Sequence, residues 1–189
     1  MNYYEAETEK TWNGLSDRVK QEIESILLSY KRHLTHITSK CESPIEQLLL
    51  IRLLEMWEYK VSDFRSFDKD ADIRIFAQKD VEYKRKKYRV DIVIEVNFQG
   101  KKYLFAIECD GHEFHERTKE QALRDKKRQR ELTAMGYCVI RFAGSEIWES
   151  PFRAAREVFD LIEEITGFNE CLMQMFEEDT LGQSAEVEG

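Results

Sequence analysis

Apolar residues recur along this chain in two rhythms, every three to four positions in some stretches and every second position in others. Each change of rhythm marks a new element. Residues 16–39 carry Ile23, Ile26, Leu27, Tyr30 and Leu34 at helical spacing, behind Ser16 as an N-cap and Asp17 in the first turn. A second helix is predicted over 43–60. Ser43 caps it, Pro44 takes the first helical position, and Glu46 stands three residues after the cap, the place of a capping-box acid. The rhythm then shortens. Residues 71–78 read as a short strand, and 86–96 as a strand with Val90, Ile92, Ile94 and Val96 on one face. A turn containing Gly100 leads into a returning strand over 102–109. A helix follows over roughly 116–135, stopped by Gly136. A last strand covers 137–144 and a closing helix 150–167. Beyond about residue 177 no apolar period remains, and the tail reads as mobile.

From 43 to 143 the order is therefore helix, three strands, helix, strand. Three strands joined by short turns form an antiparallel meander, and the helix at 116–135 crosses over to lay the last strand beside them. The predicted fold is α/β, one mixed sheet with helices on both faces.

Composition narrows the class of protein. With 189 residues, 42% hydrophobic and 35% charged, the chain suits one globular domain with helical additions. No apolar run approaches the roughly 20 residues of a membrane span, so no membrane partner is expected. The start, MNYYEAETEKTW, lacks a signal peptide's apolar core. Cys41, Cys109, Cys138 and Cys171 show no C-x-x-C spacing, so reduced thiols and a cytoplasmic setting are expected. The formal charge of −8 argues against a nucleic-acid partner until its distribution is read. Residues 168–189 hold six acids and no base, which leaves −2 on residues 1–167. Residues 84–130 hold 14 Lys and Arg against 8 Asp and Glu, a local +6. That segment can face a polyanion. Within it KRKKYR (84–89) offers Lys84, Lys86, Lys87 and Arg89 to backbone phosphates, although a hairpin edge kept soluble by charge would carry the same residues.

The chemistry concentrates at IECDGHEFH (107–115), where an apolar strand ends in two acids, a glycine and two histidines. A buried carboxylate needs a compensating partner. Asp91 lies on the preceding strand, and one hairpin brings it next to Glu108. Two such acids either shift a pKa or hold a cation between them. Arg89, Arg124 or Arg128 could supply that cation. So could Mg²⁺ or Mn²⁺, which take one or two carboxylates plus water and phosphate. Cys109, His112 and His115 also have C-x-x-H-x-x-H zinc spacing. However, a strand turns Cys109 away from Glu108 and Asp110, and no fourth ligand is suitably spaced. On the crossover helix Asp125, Arg128, Leu132 and Met135 share one face, so polar residues run in line with core residues there.

YRVDIVIEV…LFAIECDGHEFH, followed by ALRDKKRQRELTAMGYCVIRF, resembles the PD-(D/E)xK nuclease superfamily, and within it the branch around the very short patch repair endonucleases and related bacterial nucleases. The resemblance covers roughly residues 43–150. It implies a restriction-endonuclease-like αβββαβ core and a Mg²⁺- or Mn²⁺-dependent endonuclease that hydrolyses DNA, with RNA a substrate still open. Asp91 and Glu108 match the two metal-binding acids, and the carbonyl of Cys109 matches the third oxygen. Glu46 matches the acid on the first core helix and could bind the metal directly or through water, and Gln78 matches a polar residue ending the first strand. Asp125 and Arg128 match a D-x-x-R pattern on the crossover helix, beside Arg124 as a further base. The usual lysine two residues after the glutamate is here Asp110. His112, then His115, are the candidates for its part in proton transfer, with Asp110 orienting a histidine or holding a second metal. The missing lysine also allows a different reading, an inactive nuclease-like fold that binds nucleic acid or a partner protein. On this basis 1–42 is a helical extension that could dock a partner or a second copy. Residues 43–150 form the nuclease-like core, 151–176 a helix packed on it, and 177–189 an acidic tail.

Overall fold

The computed structural model describes residues 3–111 and 119–174. The acidic tail over 177–189 lies outside the described residues. By contact density the chain divides into residues 1–39 and residues 40–189. The first unit holds α1 (Tyr3–Gly14) and α2 (Asp17–Thr38). Ser16 caps α2 as expected, its Oγ accepting from the Val19 N–H at 3.4 Å. α1 has no counterpart in the sequence pattern, because YYEAETEKTWNG carries no apolar stripe at helical spacing.

The second unit runs α3 (Pro44–Phe67), β1 (Asp72–Tyr83), β2 (Lys86–Phe98), β3 (Lys101–Asp110), α4 (Lys119–Ala134), β4 (Tyr137–Ala143), α5 (Gly144–Glu149) and α6 (Pro151–Thr166). The sheet order is β1-β2-β3-β4, antiparallel across the first two pairs and parallel across the last. The meander and crossover expected from the pattern are both present. Gln99 and Gly100 form the β2–β3 turn with φ of 50° and 70°, between the paired Phe98 and Lys101. Two positive φ values in a two-residue loop match the twist of the flanking strands. The β1–β2 turn has the same character at Lys84 and Arg85, with φ of 49° and 68°. Neither residue favours that region, which costs side-chain-bearing residues on the order of 1–2 kcal/mol each. For want of a turn signal, β1 reads five residues short in the sequence.

Both faces of the sheet are covered. On one, Leu132 of α4 packs with Val81, Tyr88, Val90, Val93 and Ala106. Side chains alternate along a strand, so Ile92, Ile94, Phe105 and Ile107, all fully buried, face the other side, where α3 meets β1, β2 and α6. The expectation that Val90 shares a face with Ile92 and Ile94 is corrected here, since Val90 joins the cluster of Val93. The alternation slips beside Gln78, whose φ is 51°. The pairs Ala77↔Ile92 and Lys79↔Val90 flank it, and Gln78 itself is unpaired.

Candidate active site

The sheet register delivers the candidate acids. Gln78 stands between the Ala77↔Ile92 and Lys79↔Val90 pairs, opposite Asp91. Asp91 is one step beyond the Ile92↔Ile107 pair, opposite Glu108. Glu108 pairs with Arg141. Four strands thus present Gln78, Asp91, Glu108 and Arg141 in one row across the sheet. Helices close on this row from both faces, with Glu46 of α3 bonded to Gln78 and Arg128 of α4 against Glu108.

Glu46 is 6% exposed and fully engaged. Its Oε1 accepts from the Ser43 hydroxyl at 2.7 Å. Its Oε2 accepts from the Glu42 N–H at 2.9 Å and from the Gln78 amide at 2.6 Å. The backbone N–H of Glu46 donates to Ser43 Oγ at 3.4 Å, the N-cap half of a capping box, while the Glu46 side chain reaches back to the Glu42 N–H rather than to that of Ser43. The bond to Gln78 ties the start of α3 to the strained residue of β1.

Asp91 Oδ2 accepts from the Cys109 N–H at 2.8 Å. Burial pushes the Asp91 carboxyl above its ordinary pKa against the pull of that hydrogen bond; Glu46 and Asp110 push the same way, and Arg128 opposes them. Glu108, 4% exposed, is also pushed up, first by burial and then by Asp91 and Asp110, even though two guanidiniums flank it. Arg128 Nη2 is 2.7 Å from Glu108 Oε1, and Arg141 Nη2 is 3.6 Å from Oε2. The shorter contact is a charge contact only, since Oε1 is buried without a hydrogen-bond partner. Arg141 donates to Asp110 Oδ1 at 3.0 Å. The negative field extends to the thiols behind the strand end. Cys41 is raised to about 11 by burial and then by Glu46 and Asp91. Cys109 is raised further, by burial first, with Asp91, Glu46 and Cys41 adding.

The compensation for Glu108 is thus an arginine pair in this structure. Among the described residues, Glu46, Asp91, Glu108 and Asp110 stand with Arg128 and Arg141, four acids to two bases. Among the described residues no group of three or more His, Cys, Asp or Glu is arranged to hold a metal ion. A hard divalent cation does not need one, since Mg²⁺ takes one or two carboxylates and completes its shell with water and phosphate. The buried Glu108 and the half-buried Asp91, both raised and set among four acids and two bases of the described residues, fit such an ion in charge and in donor type.

The remaining candidates divide. His112 and His115 lie outside the described residues. Asp125 is half-buried and, with Asp110, Lys126, Gln129 and Arg141, lines a groove of about 400 Å³ between α4 and the end of β4. Arg128 turns inward and donates to the Arg89 carbonyl as well as touching Glu108. Around the β1–β2 hairpin, Lys86 lies 3.6 Å from Glu131 and 4.3 Å from the Tyr88 ring centroid. Arg89 pairs with Glu42 at 3.0 Å, and Lys84 lies 5.0 Å from the Tyr83 ring centroid. Lys87 and Arg124 are exposed. Sequence reasoning passed over Arg141, which contacts two of the acids. The available signal was a lone arginine inside the otherwise apolar strand YCVIRFA.

Residues 75–162 match the family model REase_MTES_1575, a restriction endonuclease-like family. The match runs from β1 into α6 and spans Gln78, Asp91, Glu108, Asp110, Asp125, Arg128 and Arg141, while Glu46 lies before it. Comparison with curated proteins gives no match, and comparison with solved structures gives none.

Proposed function

We propose that this chain, whose residues 75–162 belong to the restriction-endonuclease-like, PD-(D/E)xK superfamily, is a metal-dependent endonuclease hydrolysing phosphodiester bonds of DNA. Folds of this class generally use divalent metals, and nucleic acid is their substrate. The observation that carries the reading is the row Asp91–Glu108–Arg141 at the sheet end, with a half-buried and a buried carboxylate raised above their ordinary pKa where the described residues hold more acids than bases. Asp91 and Glu108 would hold Mg²⁺ or Mn²⁺, with the Cys109 carbonyl as a further oxygen. When bound, such an ion lowers the pKa of a coordinated water and neutralises charge on the phosphodiester.

The chain's own groups have distinct tasks. The Cys109 N–H fixes one oxygen of Asp91 and leaves the other to a ligand. Arg141, held by Asp110, brings fixed positive charge to where negative charge grows on a transferring phosphoryl group. Asp110 occupies the position of the missing lysine and is held by an arginine, which suits orientation rather than proton abstraction. His112 remains the proposed group for proton transfer. The exposed Lys87 and Arg124 and the basic hairpin at Lys84 and Lys86 would contact backbone phosphates. One observation favours the second reading, an inactive binding fold: Glu108 already has a guanidinium against each oxygen.

Purified protein incubated with supercoiled plasmid, single-stranded DNA and RNA, each with Mg²⁺, Mn²⁺ or EDTA, separates the two. The nuclease reading expects metal-dependent nicking of plasmid that EDTA stops. Tight DNA binding without cleavage in either metal would favour the binding fold.

A further inference from the structure

The two arginines at Glu108 are held differently. Arg141 is anchored by its hydrogen bond to Asp110 and stands 3.6 Å from Glu108 Oε2. Arg128 is closer, 2.7 Å from Oε1, yet that oxygen has no hydrogen-bond partner; the Nε of each arginine is buried without one. The Arg128 guanidinium is therefore aimed poorly at the carboxylate it neutralises. It donates to the Arg89 carbonyl, and its side chain stays 31% exposed, against 5% for Glu108.

We propose that Arg128 is a displaceable counter-ion: it neutralises Glu108 while the site lacks a divalent cation, and it leaves the carboxylate when that cation binds. This inference rests on the metal-site reading above and adds a resident competitor to it. The contact geometry at Oε1 favours an exchange of this kind. A dication on Oε1 would take the place of a guanidinium of the same sign, and a contact without a directed hydrogen bond is the easier of the two to give up. Arg141, tied to Asp110, stays.

Isothermal titration of Mn²⁺ into the full-length protein, at fixed pH and ionic strength, tests the exchange. Arg128→Met should bind Mn²⁺ about tenfold tighter than wild type or better, since a charge in contact shifts an ionic equilibrium by roughly one to three powers of ten. Lys126→Met, which removes a charge from the same helix without touching Glu108, should change affinity far less. An equal gain in both variants would overturn the proposal in favour of general charge repulsion, as would no gain in Arg128→Met. Should Arg128→Met fail to fold, the wild type still decides. On titration with Mg²⁺ the arginine Nε–H resonance of Arg128 should shift strongly and that of Arg141 little; a stationary Arg128 signal during saturable binding would refute the exchange. Absence of Mn²⁺ binding in wild type and variant alike would instead contradict the metal site itself.

Discussion

Replacing Glu46 distinguishes a carboxylate buried for its hydrogen bonds from one buried to hold a metal. In the structure its two oxygens accept from the Ser43 hydroxyl, the Glu42 N–H and the Gln78 amide, at 2.7, 2.9 and 2.6 Å. Hydrogen bonds to a charged group contribute about 1.5–3 kcal/mol each and neutral ones about 0.5–1.5. Glu46→Ala removes both acceptor oxygens with the three bonds they accept and leaves the Gln78 amide and the Glu42 N–H unmatched. The loss should be about 3–5 kcal/mol, since such bonds are not additive. For a domain of this size that lowers the melting temperature by roughly 6–20 °C. Glu46→Gln keeps a carbonyl oxygen for Glu42 and Gln78, and its amide can donate to Ser43 Oγ. It also removes a charge that raises Asp91. Its net cost should be about 1 kcal/mol, roughly 2–4 °C. Thermal melts followed by circular dichroism, with denaturant titrations as a second measure, give both numbers. A glutamine variant as unstable as the alanine variant would refute the argument, because charge rather than hydrogen bonding would then hold the start of α3. With every oxygen engaged, Glu46 acts on a metal only through its field. Mn²⁺ affinity in Glu46→Gln should fall by no more than about tenfold, some 1.4 kcal/mol, whereas Asp91→Asn should abolish binding.

Three further outcomes follow from the same geometry. Asp91 and Glu108 have raised native pKa values, so protonation favours the folded state; the metal-free protein should lose stability as pH rises from about 4 through the raised native values, and denaturant titrations should show a smaller loss in Asp91→Asn. Glu95 carries the opposite sign. Burial raises it, but Lys79 at 2.5 Å and Lys102 at 3.0 Å together hold it below its ordinary value, so its contribution is lost as pH falls below about 4.3 through the lowered native pKa, and Glu95→Gln should remove that acid-limb dependence. Gln78→Glu would set a second carboxylate against Glu46 and should cost about 2–3 kcal/mol in denaturant titrations; unchanged stability would show that the α3–β1 link is dispensable.

The strands, their order and the pairing of Asp91 with Glu108 were legible because alternation and one glycine turn define the hairpin from 86 to 109. The far half of β1 was not, because a turn built from Lys84 and Arg85 carries no turn signal. The face of Val90 was misread because alternation alone placed it with Ile92, whereas it packs with Val93, Ala106 and Leu132. Asp91, Glu108 and Arg128 were found as single residues, but their relation was not. Whether Arg128 reaches phosphate or Glu108 depends on which way α4 turns over the sheet, which helical spacing alone does not fix. Arg141 was missed for a related reason, since its partners Glu108 and Asp110 are distant in sequence and become neighbours only through the parallel β3–β4 pairing.

The central claim is that Asp91 and Glu108 share a divalent metal that acts on a phosphodiester, and the nicking rate of supercoiled plasmid in Mg²⁺ or Mn²⁺ by Asp91→Asn, beside wild type from the same preparation, tests it most directly. Asparagine can keep the bond from the Cys109 N–H while removing the charge. The account predicts metal-dependent nicking by wild type and none above the EDTA background by Asp91→Asn, with the variant folded and melting no lower than wild type in EDTA. Equal nicking by the two proteins would contradict it, as would a variant that loses activity only because it no longer folds.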